Sequence, residues 1–251
     1  MSRVRRTSIV AAGVVLASAL VVPAATSVAS DDAGAGGGVG GTSTDFPSSR
    51  VLDIQWEQEE KGWWCGPAAS RMALKSWVNN PMGQGGLADL MVTYEPSWSN
   101  PFDWQTADVG AASDGMNEAL DISGLPQAYT AVEIPSLGKK GDPSVADVLK
   151  DNARQSIGRS GHAMVVNIRS TEEHKLNDAY PDRDVYHYIT VYGYSEDGNT
   201  LYVADPASGM NDDYANVPQK YAVPTQDLAN ILNVSGDDGV AYAADLTGQT
   251  N

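Results

Sequence analysis

A single cysteine, Cys65, stands in the segment Trp63-Trp64-Cys65-Gly66-Pro67-Ala68-Ala69, and the 251-residue chain holds three histidines, His162, His174 and His187. A lone thiol in a chain that starts like an exported precursor has no partner for an internal disulfide, so it pairs between chains, lies buried, or reacts. The residues after it point to reaction. Pro67 suits the first turn of a helix, and Ala69, Met72, Ala73 and Trp77 recur at helical spacing to give one buried stripe. A helix over about residues 66–78 places Cys65 at its N-terminus, where unpaired N–H groups and the helix dipole favour a thiolate, the nucleophilic form.

A thiolate also needs a basic partner. His174 lies in the polar run Thr171-Glu172-Glu173-His174-Lys175, which reads as a solvated loop, and His162 opens the apolar run leading to Ile168. His187 begins the β-branched and aromatic stretch Tyr186 to Tyr194, a strand on which His187, Ile189, Val191 and Gly193 share one face. Glu196-Asp197-Gly198 reads as a three-residue hairpin loop into a second strand, Asn199 to Ala204, followed by Asp205-Pro206. With Ser195 paired to Asn199, Ile189 lies opposite Asp205, and His187 and Asp205 become diagonal neighbours on one face. A slip of one residue would separate them. The remaining requirement for acyl chemistry is a donor for the oxyanion, and Gln58 and Gln55 both precede the cysteine.

Gln58, Cys65-Gly66-Pro67-Ala68-Ala69, His187-Tyr188 with Val191-Tyr192-Gly193-Tyr194, and Tyr202-Val203-Ala204-Asp205-Pro206 together resemble the papain-like double-glycine peptidase family, in particular its stand-alone exported bacterial members. The resemblance spans about residues 51–207. It implies Cys65 as nucleophile, His187 as general base, Asp205 as the group that orients the imidazole, and Gln58, seven positions before the cysteine, as the oxyanion donor. Gln55, at ten, is too distant. It implies an α+β papain-like fold, with a helical lobe carrying Cys65 packed on an antiparallel sheet lobe carrying His187 and Asp205. The activity it implies is that of a cysteine peptidase or amidase working through a thioester. An acyltransferase with the same groups, or a silent module binding cell-wall peptides, is the alternative. The chain departs from transporter-linked members in its export signal and in lacking membrane and ATP-binding domains, which argues against leader removal in the cytoplasm. Trp63-Trp64 is a second departure, read as core packing or as an aromatic wall of the cleft.

The other segments frame this domain. Arg3, Arg5 and Arg6, an apolar run from Ile9 to Val22 and small residues around Ala29 read as a signal peptide over residues 1–30, too short in its apolar part to span a bilayer. Residues 31–50 are rich in Gly, Ser and Thr and read as a linker, leaving 51–251 as the peptidase domain. The net charge of −16 becomes −19 once the three leader arginines are removed, so nucleic acid and anionic membranes are not expected partners, and a peptide or protein substrate is. No cofactor or metal is expected: Asp212-Asp213 and Asp237-Asp238 lack calcium-loop spacing and read as solvated turns. The expected location is extracellular, cell-wall association included. Outside the motifs, helices are expected over residues 102–120, 143–157 and 224–232, and strands over 163–168 and 239–246.

Overall fold

The sheet is built around its longest strand. The computed structural model describes residues 46–94, 109–133, 144–232 and 239–243. In chain order the elements are β1 (Arg50–Val51), α1 (Cys65–Leu74), α2 (Gln84–Tyr94), α3 (Val109–Ile122), β2 (Tyr129–Glu133), α4 (Val145–Ala153), β3 (Met164–Ser170), β4 (Val185–Ser195), β5 (Thr200–Ala204), β6 (Lys220–Pro224), α5 (Thr225–Leu232) and β7 (Gly239–Ala243). The antiparallel strands run in the order β2-β7-β3-β4-β5-β6, and β1 also pairs with β4. Because β3 ends its pairing at Met164 opposite Val191, β1 takes the next positions along β4, Arg50 opposite Tyr194 and Val51 opposite Gly193. Gly193 permits that approach, since a Cβ there would lie 3.1 Å from the Arg50 carbonyl oxygen and from Val51.

β4 is apolar on both faces because both are covered. Met164, Val166, Ile168, Ile189, Val191, Leu201 and Val203 pack with α4 and α5 in one core. Val165, Tyr188 and Tyr192 pack with α1, α2 and α3 in the other. This is the expected α+β class, with a helical region carrying Cys65 at the start of α1 packed on an antiparallel sheet that carries His187 and Asp205. The expected stripe on α1 holds: Ala69, Met72 and Ala73 are buried and Trp77 packs at the edge of the same core. The expected helix over 143–157 divides into α4 and a π-helical turn over Arg154–Ser160, closed by Gly161 at φ 78°. α2 is absent from the expectations because Gly85 and Gly86 sit in its first turn and weaken its signal, and burial of Leu87, Ala88 and Met91 holds it instead.

The hairpin between β4 and β5 differs from expectation in one place and agrees where it matters. Ser195 pairs with Thr200, not Asn199, so the loop has four residues, with Glu196, Asp197 and Gly198 all at positive φ. A bulge between Val191 and Gly193 then restores the count, so that Val191 faces Val203 and Thr190 faces Ala204. The two single-residue offsets cancel before the chain reaches His187 and Asp205.

The expected leader and most of the expected linker lie outside the described residues, as do the expected helical residues 102–108, the strand residues 244–246 and Asp237-Asp238. The last linker residues are held to the domain. The Pro47 carbonyl accepts from the Tyr194 hydroxyl at 2.7 Å, the Ser48 carbonyl from the Asp197 N–H at 2.9 Å, and Arg50 donates to the Gly158 carbonyl at 2.8 Å. Among the described residues no helix is long and apolar enough to cross a membrane.

Candidate active site

His187 and Asp205 meet as the hairpin register requires. The His187 Nε2 lies 2.9 Å from Asp205 Oδ1, and both side chains are buried. Burial alone would push the imidazole toward its neutral form, but the Asp205 carboxylate overrides this, and the Cys65 side chain acts on the ring in the same direction, so the His187 pKa is raised well above its ordinary value. Burial likewise opposes ionisation of Asp205, and the charge and hydrogen bond of His187 with two tyrosine hydroxyls hold its pKa below the usual carboxylate value. The pair is therefore an imidazolium and a carboxylate over a wide pH range.

Asp205 is fixed by more than its histidine. Tyr180 and Tyr221 donate to Oδ2 at 2.6 and 2.8 Å, the Ala207 N–H donates to Oδ1 at 3.0 Å, and the Trp56 indole N–H donates to the Asp205 carbonyl at 2.7 Å. Tyr180 also sets its ring edge against His187, with centroids 6.0 Å apart. These residues carry little signal in the sequence. Tyr221 pairs with Val203, two positions before Asp205, and could be found only by recognising β6. Tyr180 lies between β3 and β4 in an irregular segment with no pattern to mark it.

Cys65 is the first residue of α1 and is half-buried. Its N-cap, Trp64, supplies no side-chain hydrogen bond, so no capping side chain competes for the N–H groups of the first turn. Trp64 packs on the helical core under the Lys61 ammonium, 3.8 Å from its ring centroid, as core packing expects of that residue.

The chain leading into α1 is threaded between that helix and the turn after β5. Lys220 donates to the Ile54 carbonyl at 2.6 Å, Lys75 reaches Glu57 at 2.6 Å, Arg71 also pairs with Glu57, and the Glu59 N–H donates to the Pro206 carbonyl at 3.0 Å. Buried Gln84 of α2 clamps the same segment, donating to the Gln58 carbonyl and accepting from the Glu60 N–H, each at 2.9 Å. Gln58 is exposed, and its amide donates to the Ser208 carbonyl at 2.8 Å. Gln55 is exposed farther back along the segment, where its carbonyl accepts from Lys75 at 3.4 Å.

The other two histidines sit in different surroundings. His162 stacks on Trp77 with centroids 3.3 Å apart, and burial pushes its pKa down to about 4. His174 closes a turn, its backbone N–H donating to the Thr171 hydroxyl at 3.1 Å. Among the described residues no group of three or more His, Cys, Asp or Glu is placed to hold a metal ion. Asp213 pairs with Arg183 at an exposed turn.

A sequence profile of the Peptidase_C39 like family matches residues 51–226. No curated protein matches the chain. Solved structures similar to it include a C39-like protein from Bacillus anthracis, at 16% identity and TM-score 0.47, covering 79% of this chain and 99% of that one. They also include xylellain, a cysteine protease from Xylella fastidiosa, at 10% identity and TM-score 0.46, covering 80% and 87%. The peptidase domain of Streptococcus ComA is a third, at 14% identity and TM-score 0.39, covering 77% and 100%. With the profile spanning most of the folded chain, and a helix-borne cysteine and a sheet-borne His–Asp pair in one α+β domain, this chain belongs to the Peptidase_C39 like family.

Proposed function

We propose that this protein is an exported cysteine peptidase or amidase that cleaves peptide or amide bonds through Cys65, His187 and Asp205. The observation that carries the reading is the buried His187–Asp205 pair at 2.9 Å, on whose imidazole the side chain of the helix-terminal Cys65 also acts. With the thiol proton held on the His187 imidazolium, Cys65 attacks the carbonyl carbon as a thiolate, forming a C–S bond as the carbonyl π pair moves to oxygen. The oxyanion is met by N–H groups at the start of α1 and by a side-chain donor from the segment before it, where the sequence singles out Gln58. Collapse breaks the C–N bond, His187 gives its proton to the departing amine, and water, activated by the same imidazole, resolves the thioester. Asp205 keeps the ring in one orientation throughout, and its tyrosine partners keep Asp205 in place.

Incubation with a peptide library, with cleavage read by mass spectrometry for the native chain and for Cys65→Ala, tests the proposal. Cleavage by the native protein alone supports it, and equal cleavage by both overturns it. Transfer of the acyl group to an added amine in place of hydrolysis would reassign the chain as an acyltransferase.

A further inference from the structure

Glu59 is the buried ionisable group that the mechanism above leaves without a task. Its side chain is 7% exposed, whereas its neighbour Gln58 faces solvent and has its amide bonded to the Ser208 carbonyl. The Glu59 N–H, bonded to the Pro206 carbonyl at 3.0 Å, fixes the residue beside Asp205. Its Oε2 is buried with no hydrogen-bond partner among the described residues. A carboxylate oxygen left so would be costly, whereas a carboxylic acid facing a site that receives a carbonyl oxygen gains its partner when substrate binds.

The backbone bond to Pro206, the residue after Asp205, sets Glu59 next to the candidate pair. His187 of β4 and Asp205 at the end of β5 both act on its charge, and Tyr214, in the turn at 212–214, feels both Glu59 and Cys65. The nearby Glu57 is taken by Arg71 and Lys75 of α1, and Lys61 lies over Trp64, so neither of these cation sets pairs with Glu59. α2 contributes Gln84, which is uncharged and bonded to the backbone of residues 58 and 60.

We propose that Glu59, as a neutral carboxylic acid, is the side-chain donor that meets the oxygen of the scissile carbonyl, an inference that rests on the thiol-hydrolase reading above. Its O–H donates a hydrogen bond to the oxygen that gains charge as the C–S bond forms, and no proton is transferred. Burial, opposed by His187 and reinforced by Asp205, lifts the Glu59 pKa to about 7, so the donor form prevails below that value. Above it the acid loses its proton, and the carboxylate repels the oxyanion.

Turnover of a fluorogenic peptide cleaved by the native chain, followed from mildly acidic to alkaline pH, tests this in Glu59→Gln, Glu59→Ala and Gln58→Ala. The native enzyme is expected to lose kcat as pH rises through about 7. Glu59→Gln, which keeps an N–H donor and cannot ionise, is expected to keep its activity and lose that fall. Glu59→Ala is expected to lower kcat by about a hundredfold, with alkylation of Cys65 by iodoacetamide unchanged. A Glu59→Gln profile that falls as the native one does, or a Gln58→Ala variant that is disabled while Glu59→Ala is not, overturns the proposal and leaves the thiol reading standing. Turnover that survives complete alkylation of Cys65 removes the thiol reading itself and this inference with it.

Discussion

Replacing Asp205 should cost stability as well as activity, and the structure sets both the size and the pH window. The carboxylate accepts from His187, Tyr180, Tyr221 and the Ala207 N–H, all in a buried setting. Asp205→Ala removes the acceptor from all four and leaves an imidazolium unpaired, a loss of about 3–5 kcal/mol. Asp205→Asn keeps one oxygen for His187 and Ala207, while its NH2 meets two hydroxyls that can turn to accept, so the cost falls to about 2 kcal/mol. The sign follows from the two shifts. The depressed Asp205 contributes stability above the carboxylate's unfolded value and loses it as pH falls through the folded one. The raised His187 contributes below its unfolded value and loses it as pH rises through the folded one. The deficit of either variant should therefore be widest between pH of about 4 and 6.5 and narrow on both sides. Urea unfolding at several pH values measures it. A deficit that is flat with pH would refute an ionised pair, and equal losses for Ala and Asn would refute the role given to the tyrosine hydroxyls.

Cys65→Ala should abolish cleavage while leaving the urea midpoint nearly unchanged, since the side chain is only half-buried. His187→Ala should be as inactive, whereas His174→Ala keeps full activity and His162→Ala keeps activity but loses thermal stability with the Trp77 stack, all read by the same peptide assay and a melting curve. Glu59→Gln should stabilise the fold at pH of about 8 and not at pH of about 4, because a carboxyl raised from 4.5 to about 7 costs up to about 3 kcal/mol once the unfolded chain ionises. A chain starting at Thr44 should melt with the full-length protein, and one starting at Asp53 about 5–10 °C lower, because it loses β1 and the Pro47 and Ser48 hydrogen bonds.

The parts of the site legible in sequence are those with local signals. Pro67 and the Ala69-Met72-Ala73 stripe mark α1 and put Cys65 at its start, and the alternation around His187 marks β4. The closeness of His187 and Asp205 was legible only because the bulge near Tyr192 offsets the extra loop residue, and neither feature has a pattern of its own. Tyr180, Tyr221 and Trp56 could not be read, because they reach Asp205 across long sequence separations that tertiary packing alone decides. Residue type points to Gln58, while burial, which no residue type reveals, separates it from Glu59. Likewise the composition of residues 31–50 suggests a free linker, but Phe46, Pro47, Ser48 and Arg50 find partners on the domain, Phe46 under the Arg154 guanidinium and the other three along β4 and its hairpin.

Titration of the native protein with a peptide-based thiol electrophile, with intact mass and peptide cleavage followed together, tests Cys65 as the nucleophile. One adduct per chain is expected, mapped to Cys65, with cleavage falling in proportion to the modified fraction, and little adduct in the His187→Ala variant under the same conditions. Cleavage that persists once Cys65 is fully modified would contradict it.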